Sequence, residues 1–397
     1  MLDLTSYRQQ FPGLQNKFYF NYGGQGVLPQ AALASITSAY NYIAEIGPFS
    51  IKGNKWVEET IYETKKVIAS ELGVSVDSVA LTENVTEGCN IVLWGIDWQE
   101  GDEILLTDAE HPGIVAIVKE IGRRFRVKVT TIPLLKALFH QDNPLETISA
   151  YLTPQTRLLV ISHILWNTGH LLPLRDIVNL CHQYPHSRKP IYVLADGAQS
   201  AGSIPLSLAE EGVDFYAGTG HKWLCGPSGV GFLYIRQELI SFIAPTFIGW
   251  RGLDFSNPHL SFLESASRYE VATSPYPLFL GLKTAIQLHQ SWGTVEQRYE
   301  RILQLSHLLW TKLQQINGIR CLHPSTPPLS GLVSFYLPAG NPKQIVQILE
   351  SNGFLLRTLS YPPCIRACVH YFTLESEIYS LLNFLSSLLS KGIGANI

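Results

Sequence analysis

Charge of either sign is scarce in this sequence. Only 15% of the 397 residues are charged, and 29 Lys and Arg residues against 32 Asp and Glu residues leave a formal net charge of -3. Because no excess of positive charge is available to hold a polyanion, we expect no nucleic-acid partner. Hydrophobic residues make up 46% of the chain, which excludes a predominantly disordered state.

Cysteine and long hydrophobic runs are scarce as well. Six scattered cysteines are too few for a disulfide framework in a chain of this length, and they indicate reduced thiols. No apolar run approaches the ~18 residues that a membrane-spanning helix needs, and residues 1–12 lack the apolar core and cleavage site of a signal peptide. We therefore expect a cytoplasmic protein without membrane association.

Short β-rich runs alternate with amphipathic helical patterns between residues 79 and 236. The runs are Glu103–Thr107, Arg126–Pro133, Thr156–Ile164, Ile191–Asp196, Asp214–Gly218 and Gly229–Ile235. This alternation predicts an α/β fold with a mostly parallel sheet covered by helices. Sheets of this kind bind ligands beyond the carboxyl ends of their strands, so functional residues are expected there.

The length of the chain corresponds to two or three domains at roughly 150 residues per domain. After about Gly249 the alternation loosens, and long helices are predicted over Tyr276–Ser291, Val295–Gln315 and Ser376–Ser390. We predict an N-terminal arm over residues 1–15 that associates with the small domain. A large domain then spans residues 16–254, and a smaller C-terminal α+β domain spans residues 255–397.

Two motifs about 25 residues apart place polar side chains after predicted strands. Asp196-Gly-Ala-Gln199 ends an apolar run, and Gly220-His-Lys222 follows another. A buried carboxyl stays ionised only opposite a cation, and a partly desolvated lysine can act as nucleophile or base. Taken singly, Asp196 is equally well explained as a helix cap and Lys222 as a solvated surface amine.

Together the two motifs resemble the pyridoxal phosphate (PLP) signature of the class V aminotransferase and cysteine desulfurase family, which has fold type I. The resemblance extends from about Asn21 to Tyr371 and implies a large domain with a seven-stranded, mostly parallel sheet. It implies that Lys222 binds PLP covalently, that Asp196 pairs with the protonated pyridine nitrogen, and that Gln199 contacts the phenolic oxygen. An ionised Asp keeps that nitrogen protonated, so the ring can accept the electrons left on Cα. We expect no metal site.

The phosphate of the cofactor also has candidate ligands. The segment Thr82–Asn90 is predicted to be a loop followed by the start of a helix, where free backbone amides can bind an anion. Taken alone, the segment is explained equally well by an ordinary helix cap. By resemblance, Thr86 and the amide of Glu87 contact the phosphate, and Thr219 and His221 complete its binding site.

Three further residues take roles from the resemblance. His111 would stack on the pyridine ring and exchange protons near neutral pH. Asn167 would lie near the ring oxygen and the substrate carboxylate. In the family a threonine of the second subunit reaches the phosphate, and Thr273 occupies the matching position, which implies a homodimer with shared sites.

Two arginines near the C-terminus are candidates for substrate carboxylates, because a guanidinium binds a carboxylate through two parallel hydrogen bonds. Arg366 matches the family's carboxylate-binding arginine, although Cys368 stands where serine is usual. Arg357 is a candidate for a second carboxylate. Gly23, Trp250 and Tyr361 are weaker pocket candidates, equally well explained by core or surface roles.

The sequence departs from the desulfurases at their nucleophile. Those enzymes carry a reactive cysteine on a loop ahead of the carboxylate-binding arginine, but only eight residues separate Arg357 from Arg366 and Cys364 lies beside Arg366. We therefore interpret the chain as a C–S lyase, in which Lys222 removes the Cα proton and β-elimination yields pyruvate and ammonia. Cystine is the expected better substrate because its leaving group is a persulfide, and that product implies a possible iron–sulfur acceptor protein as partner.

Three alternatives remain open. Cys364 would carry a persulfide if the chain were a desulfurase. Pro362-Pro-Cys-Ile-Arg-Ala367 also resembles isopenicillin N epimerase-like proteins, in which Cα is deprotonated and then reprotonated on its other face. A catalytically silent PLP-binding scaffold in sulfur transfer would need neither Lys222 nor Arg366, so the complete motif set argues against it.

Overall fold

The computed structural model describes residues 4–259, 261–337 and 341–390. Its strands are, in chain order, β1 (Phe18–Tyr19), β2 (Val79–Thr82), β3 (Glu103–Thr107), β4 (Lys128–Ile132), β5 (Thr156–Ser162), β6 (Tyr192–Asp196), β7 (Phe215–Thr219), β8 (Gly231–Ile235), β9 (Arg320–Cys321), β10 (Leu332–Tyr336), β11 (Phe354–Leu355), β12 (Arg357–Ser360) and β13 (Pro363–Cys368). Its helices are α1 (Leu4–Arg8), α2 (Gln30–Ile46), α3 (Ile51–Leu72), α4 (Val85–Gly95), α5 (Pro112–Phe125), α6 (Leu134–Phe139), α7 (Pro144–Ser149), α8 (Leu174–His182), α9 (Leu208–Glu211), α10 (Tyr276–Trp292), α11 (Val295–Gln314), α12 (Pro342–Ser351) and α13 (Glu375–Ser390). None of the helices in these ranges is long and apolar enough to cross a bilayer.

The predicted mostly parallel sheet is confirmed. Seven strands pair in the order β2-β8-β7-β6-β5-β3-β4, and only β8 runs antiparallel to its neighbours. The strand predicted to begin at Arg126 begins at Lys128 instead. Arg126 has a φ of 54°, the left-handed conformation that ends α5, so it cannot belong to the following strand.

Alternate residues of each central strand belong to two different hydrophobic cores. In β5, Leu159 and Ile161 pack on one face of the sheet, and Leu158 and Val160 pack on the other. This follows from the two-residue period of a strand and from the helices that cover both faces. The continuous apolar runs in the sequence therefore mark strands with no solvent-exposed face.

The register of the sheet brings several polar strand ends together. Ser162 of β5 pairs with Asp196 of β6, and Thr219 ends the next strand, β7. Because β5, β6 and β7 are parallel neighbours, their carboxyl ends meet at one edge.

A second, antiparallel sheet lies in the C-terminal part of the chain. Its strands pair in the order β12-β13-β10-β9. Apolar side chains of α11, α12 and α13 pack with this sheet, including Leu309, Leu349 and Leu381. Near the N-terminus, β1 pairs in parallel with β11, so residues 18–19 are joined to this smaller unit.

Helix α10 lies beyond the predicted end of the large domain at residue 254, but its apolar side chains pack with the large sheet. Phe279, Leu282 and Ile286 of α10 lie in a core of the seven-stranded sheet, and Tyr269 lies in the core on its other face. An apolar helix face belongs to whichever core buries it, and here that is the large sheet. We therefore propose that the large domain continues to Trp292, in place of the division at residues 254 and 255.

The N-terminal arm contacts the C-terminal part of the chain. Arg8 donates to the carbonyl of Phe372 at 2.6 Å and forms an ion pair with Glu377 at 2.7 Å. Residues 1–3 of the predicted arm and residues 260, 338–340 and 391–397 of the predicted small domain lie outside the described residues.

Candidate active site

A cavity of about 430 Å³ lies at the carboxyl ends of β5, β6 and β7. Its walls are formed by Asn84, Val85, Thr86, His111, Ser162, Ile164, Trp166, Asp196, Ala198, Gln199, His221 and Lys222. Six of the residues predicted from the sequence are among them, namely Thr86, His111, Asp196, Gln199, His221 and Lys222. They come from separate segments of the chain, which the parallel sheet brings to one edge.

Lys222 lies in the tight turn after β7. Its carbonyl accepts a hydrogen bond from the Cys225 amide at 3.0 Å, and a Cβ at Gly26 would lie only 2.1 Å from the same carbonyl oxygen. Burial lowers the pKa of the Lys222 amine to about 8, and the negative charge of Asp196 partly offsets that effect. A neutral amine is therefore accessible near pH 8, and the neutral form is the one that attacks a carbonyl or takes a proton.

Asp196 is the last residue of β6, and its carboxylate acts electrostatically on Lys222. Its Oδ1 accepts a hydrogen bond from the Ala198 amide at 2.8 Å. Burial raises the pKa of Asp196, whereas the positive charge of Lys222 and the hydrogen bond lower it. A cationic group in the cavity would favour the carboxylate form, so this position suits a protonated ring nitrogen.

Both polar atoms of the Gln199 side-chain amide form hydrogen bonds. The indole Nε1 of Trp223 donates to Gln199 Oε1 at 2.9 Å, and Gln199 Nε2 donates to the carbonyl of Gly23 at 2.9 Å. Because an indole N–H can only donate, the Trp223 contact fixes which end of the amide is oxygen. One Nε2 hydrogen then remains for an acceptor in the cavity.

His111 caps the N-terminus of α5 and lies beside Trp166. Its Nδ1 accepts a hydrogen bond from the Gly113 amide at 3.2 Å, which assigns the proton of the neutral ring to Nε2. Burial lowers the pKa of His111, so the neutral imidazole dominates at neutral pH. The Trp166 ring meets it edge-on, with centroids 5.7 Å apart.

Glu110 anchors the loop that carries His111. Its carboxylate oxygens accept hydrogen bonds from Thr107 Oγ1 and Ser162 Oγ, each at 2.6 Å. Burial, with a smaller contribution from the charge of Asp196, raises the pKa of Glu110 to about 7. Glu110 therefore ties the His111 loop to the strand end next to Asp196.

The first turn of α4 differs from the sequence-based expectation in one contact. The amide of Glu87, expected at a phosphate, donates instead to Asn84 Oδ1 at 3.0 Å, and Glu87 does not line the cavity. The reason is that asparagine is among the strongest N-cap residues. Val85 and Thr86 do line the cavity, and amides at the start of a helix have no intrahelical acceptor, so these two suit an anion.

Thr219 and His221 form a pair at the end of β7. Thr219 Oγ1 lies 2.7 Å from His221 Nδ1, within hydrogen-bond distance, and Thr219 is buried. Burial lowers the pKa of His221, with the charge of Lys222 as a second cause. One proton is used within the pair, so the pair leaves one neutral donor, either His221 Nε2–H or the Thr219 hydroxyl.

Arg366 and Arg357 are direct neighbours on adjacent strands. They are cross-strand partners in β13 and β12, so their side chains leave the same face of the sheet. Arg366 is only 2% exposed, donates to the carbonyl of Trp166 at 2.6 Å, and has an Nε without a partner. No carboxylate among the described residues pairs with either arginine. A Cβ at Gly23 would lie 3.0 Å from the Arg366 guanidinium, so glycine leaves room for it.

Asn167 is buried at the boundary of the two sheets. Its Nδ2 donates to the carbonyl of Tyr361 at 3.2 Å, and its own carbonyl accepts from Ser334 Oγ at 2.6 Å. Its Oδ1 is buried without a hydrogen-bond partner in the part of the chain that the structure describes. An unsatisfied buried amide oxygen costs free energy, and a ligand with a donor group would remove that cost.

Three further predicted residues, Trp250, Tyr361 and Thr273, are also absent from the cavity walls. Trp250 is 48% exposed and lines a separate cavity with Lys65 and Glu270. Tyr361 is 56% exposed, and only its carbonyl reaches Asn167. Thr273 lies exposed on the segment after Glu270.

Among the residues that were not predicted from the sequence, four make contacts that shape the site. Trp166 lines the cavity and accepts from Arg366, Trp223 orients Gln199, and Glu110 and Ser162 support the His111 loop. Each lies within one or two residues of a predicted site residue or at a strand end. Adjacency to a motif was therefore the available signal, but the contacts themselves depend on strand order.

Comparison with known proteins identifies the family. The chain belongs to the class V aminotransferases, since the family model "Aminotransferase class-V" matches residues 18–376. A solved complex between the cystine C-S lyase C-DES and its reaction product cysteine persulfide is 47% identical, with a TM-score of 0.92, and the match covers 95% of this chain and 99% of that chain. A C-DES mutant with glycine covalently linked to its PLP cofactor is also 47% identical, with a TM-score of 0.92 and 96% of this chain and 98% of that chain covered.

Two curated relatives have a lower identity to this chain. The isopenicillin N epimerase of Amycolatopsis lactamdurans is 27% identical over 388 residues, 93% of this chain and 94% of the relative. A probable cysteine desulfurase of Xylella fastidiosa (strain Temecula1) is 26% identical over 394 residues, 96% of this chain and 91% of the relative.

PLP is the cofactor, and the cavity fits it. A buried carboxylate, which suits a cationic ring nitrogen, lies together with a buried amine of lowered pKa, which suits an aldehyde. Helix-start amides suit its phosphate, and Asn167, the residue after the cavity-lining Trp166, has a buried Oδ1 without a partner among the described residues.

Proposed function

We propose that this protein is a C–S lyase that cleaves L-cystine and L-cysteine by β-elimination. Cystine and water would give pyruvate, ammonia and cysteine persulfide, and cysteine and water would give pyruvate, ammonia and hydrogen sulfide. The observation that carries the proposal is the burial of Cys364 and of the other five cysteines. The 47% identity to a protein described as a cystine C-S lyase supports the same activity.

Cys364 is unsuited to attack a substrate. It points into a small apolar cluster with Leu322 and Leu359, and it lies within a strand rather than on a loop. Burial raises the pKa of its thiol to about 12, so little of the nucleophilic thiolate forms at neutral pH. A desulfurase needs an exposed thiolate that reaches the substrate sulfur, whereas β-elimination needs none.

The cavity residues would hold the cofactor as follows. Lys222 would bind PLP covalently, Asp196 would face the ring nitrogen, and Gln199 would donate its remaining Nε2 hydrogen to the phenolic oxygen. Thr86 with the helix-start amides, and the Thr219–His221 pair, would bind the phosphate. When bound, PLP supplies an electron sink for the pair of electrons left on Cα.

The arginine pair supports a substrate with two carboxylates. Arg366 is a buried cation without a carboxylate partner in the described residues, and Arg357 is exposed directly beside it. Like charges opposite one another on a strand pair repel, so bound anions would stabilise this arrangement. We propose that Arg366 binds the α-carboxylate next to the scissile bond and that Arg357 binds the distal carboxylate of cystine.

Proton transfer is assigned to Lys222 and His111. The neutral Lys222 amine takes the Cα proton, which it can do because burial lowers its pKa to about 8. The Cβ–S bond then breaks, and the electron pair leaves with sulfur. His111 is neutral and carries a proton on Nε2, so it can orient the ring and donate toward the leaving sulfur.

A homodimer would complete the site. Thr273 is exposed, and its segment packs against a stretch with large exposed apolar side chains, Phe247, Ile248 and Trp250. Such a patch is typical of a protein interface. We propose that Thr273 contacts the phosphate in the partner subunit, that the protein is cytoplasmic, and that its persulfide product reaches an iron–sulfur acceptor protein. A monomeric mass in sedimentation analysis of the holoenzyme would contradict the dimer.

Product analysis tests the activity. The holoenzyme is incubated separately with L-cystine and L-cysteine, and pyruvate, persulfide and alanine are measured, with Lys222→Ala as the inactive control. Pyruvate from both substrates, faster from cystine, is the expected result. Alanine would indicate a desulfurase, and racemised substrate without pyruvate would indicate an epimerase. If there is no turnover and the Lys222→Ala variant has the same absorbance spectrum as the wild type, the protein is not an enzyme.

A further inference from the structure

Two buried histidines hold the backbone directly after Lys222. His370 Nε2 lies 2.9 Å from the carbonyl oxygen of Trp223, and His289 Nε2 lies 3.1 Å from the carbonyl oxygen of Leu224. His289 belongs to α10, and His370 follows β13. The turn that carries Lys222 is thus tied to two elements far away in the sequence.

The proton positions in this group follow from its acceptors. Carbonyl oxygens only accept, so both histidines carry a proton on Nε2 and present a lone pair on Nδ1. His370 Nδ1 accepts from the Tyr371 amide at 3.1 Å, and His289 Nδ1 accepts from the Tyr371 hydroxyl at 2.6 Å. Because the Tyr371 proton is used on His289, we assign the Tyr7 hydroxyl, 2.5 Å away, as the donor to Tyr371, in preference to its longer contact with the Leu288 carbonyl at 3.3 Å. Every ring nitrogen therefore has one partner, in one consistent pattern.

Both histidines are neutral in this arrangement. Burial lowers the pKa of His370 to about 3 and that of His289 well below its usual value, and the charge of Arg298 acts in the same direction on each. A protonated ring would lose the Nδ1 lone pair that accepts from Tyr371. The pattern therefore persists over the pH range in which Lys222 titrates.

The turn that these bonds hold is strained. Cys225 has a φ of 50°, in the left-handed region, which costs a non-glycine residue about 1 kcal/mol. Its amide closes the turn onto the Lys222 carbonyl at 3.0 Å. Surrounding contacts must offset such strain, and the two histidine bonds lie on the residues between Lys222 and Cys225.

A metal site at the same place is a competing explanation. Ligand atoms of Cys225, His289 and His370 lie within 4.8 Å of one another. A metal ion would need lone pairs on both rings, but both Nδ1 atoms accept from Tyr371 and both Nε2 atoms donate to carbonyls. An ion would break that pattern, so the hydrogen-bonded geometry favours a positioning network.

We propose that His289, His370 and Tyr371 are positioning residues that fix the turn bearing Lys222, and that Tyr7 joins the N-terminal helix to this network. The proposal rests on the proposed role of Lys222 as the cofactor lysine. Its physical basis is that the direction of the Lys222 side chain depends on the backbone of residues 222–225. A shift of that backbone by a fraction of an ångström would misplace the amine relative to Cα.

Tyr371→Phe is the sharpest perturbation because it removes one hydroxyl and keeps the ring. We expect kcat for cystine to fall about tenfold, while KM changes less than about twofold, since the arginine pair is untouched. We also expect the pH titration of the cofactor's visible absorbance to shift by about half a unit. Asp196, Cys368, Arg366 and Arg357, the other groups that act on the Lys222 amine, are unchanged in this variant.

Matched variants separate positioning from general stability. Tyr184→Phe removes a comparable hydroxyl, which donates to the carbonyl of Leu152 at 3.0 Å far from the cavity, and it should leave both readouts unchanged. His370→Leu should shift the absorbance titration, and His370→Gln, which keeps a donor near the Nε2 position, should restore it. If Lys222→Ala leaves the spectrum unchanged, it is the proposed function that fails.

Three results would overturn the positioning role. The first is an unshifted titration and an unchanged kcat in Tyr371→Phe. The second is an equal shift in Tyr184→Phe. The third is one equivalent of bound metal in the purified holoenzyme, with loss of activity on chelation, which would assign the cluster to an ion.

Discussion

Replacing Arg366 with glutamine should remove substrate binding without unfolding the protein. Its guanidinium is buried and can form two parallel hydrogen bonds with a carboxylate, and hydrogen bonds to charged groups are worth about 1.5–3 kcal/mol each. A loss of about 3–4 kcal/mol corresponds to a roughly 100- to 1,000-fold fall in kcat/KM. KM should rise and kcat should fall, because the same contact aligns the Cα–H bond.

The stability of the apo-protein should change little in the same variant. Arg366 loses its bond to the Trp166 carbonyl, about 1 kcal/mol, but the repulsion from Arg357 on the neighbouring strand disappears. Denaturant unfolding of the apo-protein should therefore give a free energy within about 1 kcal/mol of the wild-type value. A large loss of stability would show that Arg366 has a structural role instead.

Arg357→Gln is the matched control for the second carboxylate. Arg357 is exposed, so its contact with a distal carboxylate is worth about 1 kcal/mol, or roughly a fivefold change in kcat/KM. The effect should appear with cystine and be absent with cysteine, which has no distal carboxylate. Steady-state kinetics of both variants with both substrates is the assay. An unchanged KM in Arg366→Gln, or equal effects of Arg357→Gln on both substrates, would refute the assignment.

Three other perturbations test the electrostatics of the site. The rate at which the apo-protein binds PLP should rise with pH, with a midpoint at about pH 8, because the neutral Lys222 amine reacts. Asp196→Asn should move that midpoint to lower pH, since the Asp196 charge raises the pKa of Lys222. An unchanged midpoint would contradict this electrostatic coupling. Cys364→Ser should leave pyruvate formation from cystine within about twofold, whereas a loss beyond about 100-fold would restore a thiolate mechanism. The folded-state pKa of Glu110, about 7, lies above its usual value, so its contribution to stability is complete below about pH 4.5 and is lost as pH rises through 7. The free energy of unfolding of Glu110→Gln, relative to that of wild type, should therefore rise from pH 5 to pH 8. A pH-independent difference would contradict the raised pKa.

Five strands of the large sheet, β3, β5, β6, β7 and β8, were predictable because each is buried on both faces. The run Thr156–Ile164 is apolar throughout its centre, and it is found as β5, Thr156–Ser162. The extent of the large domain was not predictable in the same way. The apolar face of α10 fits either core equally well as a pattern, and only the three-dimensional arrangement shows that Leu282 packs against the large sheet.

The candidate site likewise contains residues that the sequence predicts and contacts that it does not. Residues within a motif that follows a strand, such as Asp196 and Lys222, converge as the strand order requires. Contacts that depend on side-chain competition were left open, because the sequence fits an N-cap at Asn84 and an anion site at the Glu87 amide equally well. The bond between Tyr7 and Tyr371 joins residues 364 positions apart and has no local signal.

The proposed elimination is tested most directly by following the sulfur of cystine into its products. The holoenzyme is given L-cystine without reductant, and pyruvate, free cysteine persulfide and the mass of the protein are measured together. We predict one pyruvate and one free persulfide for each cystine consumed, with no sulfur added to any cysteine of the protein. Alanine together with a sulfur atom bound to a protein cysteine would contradict the proposed elimination.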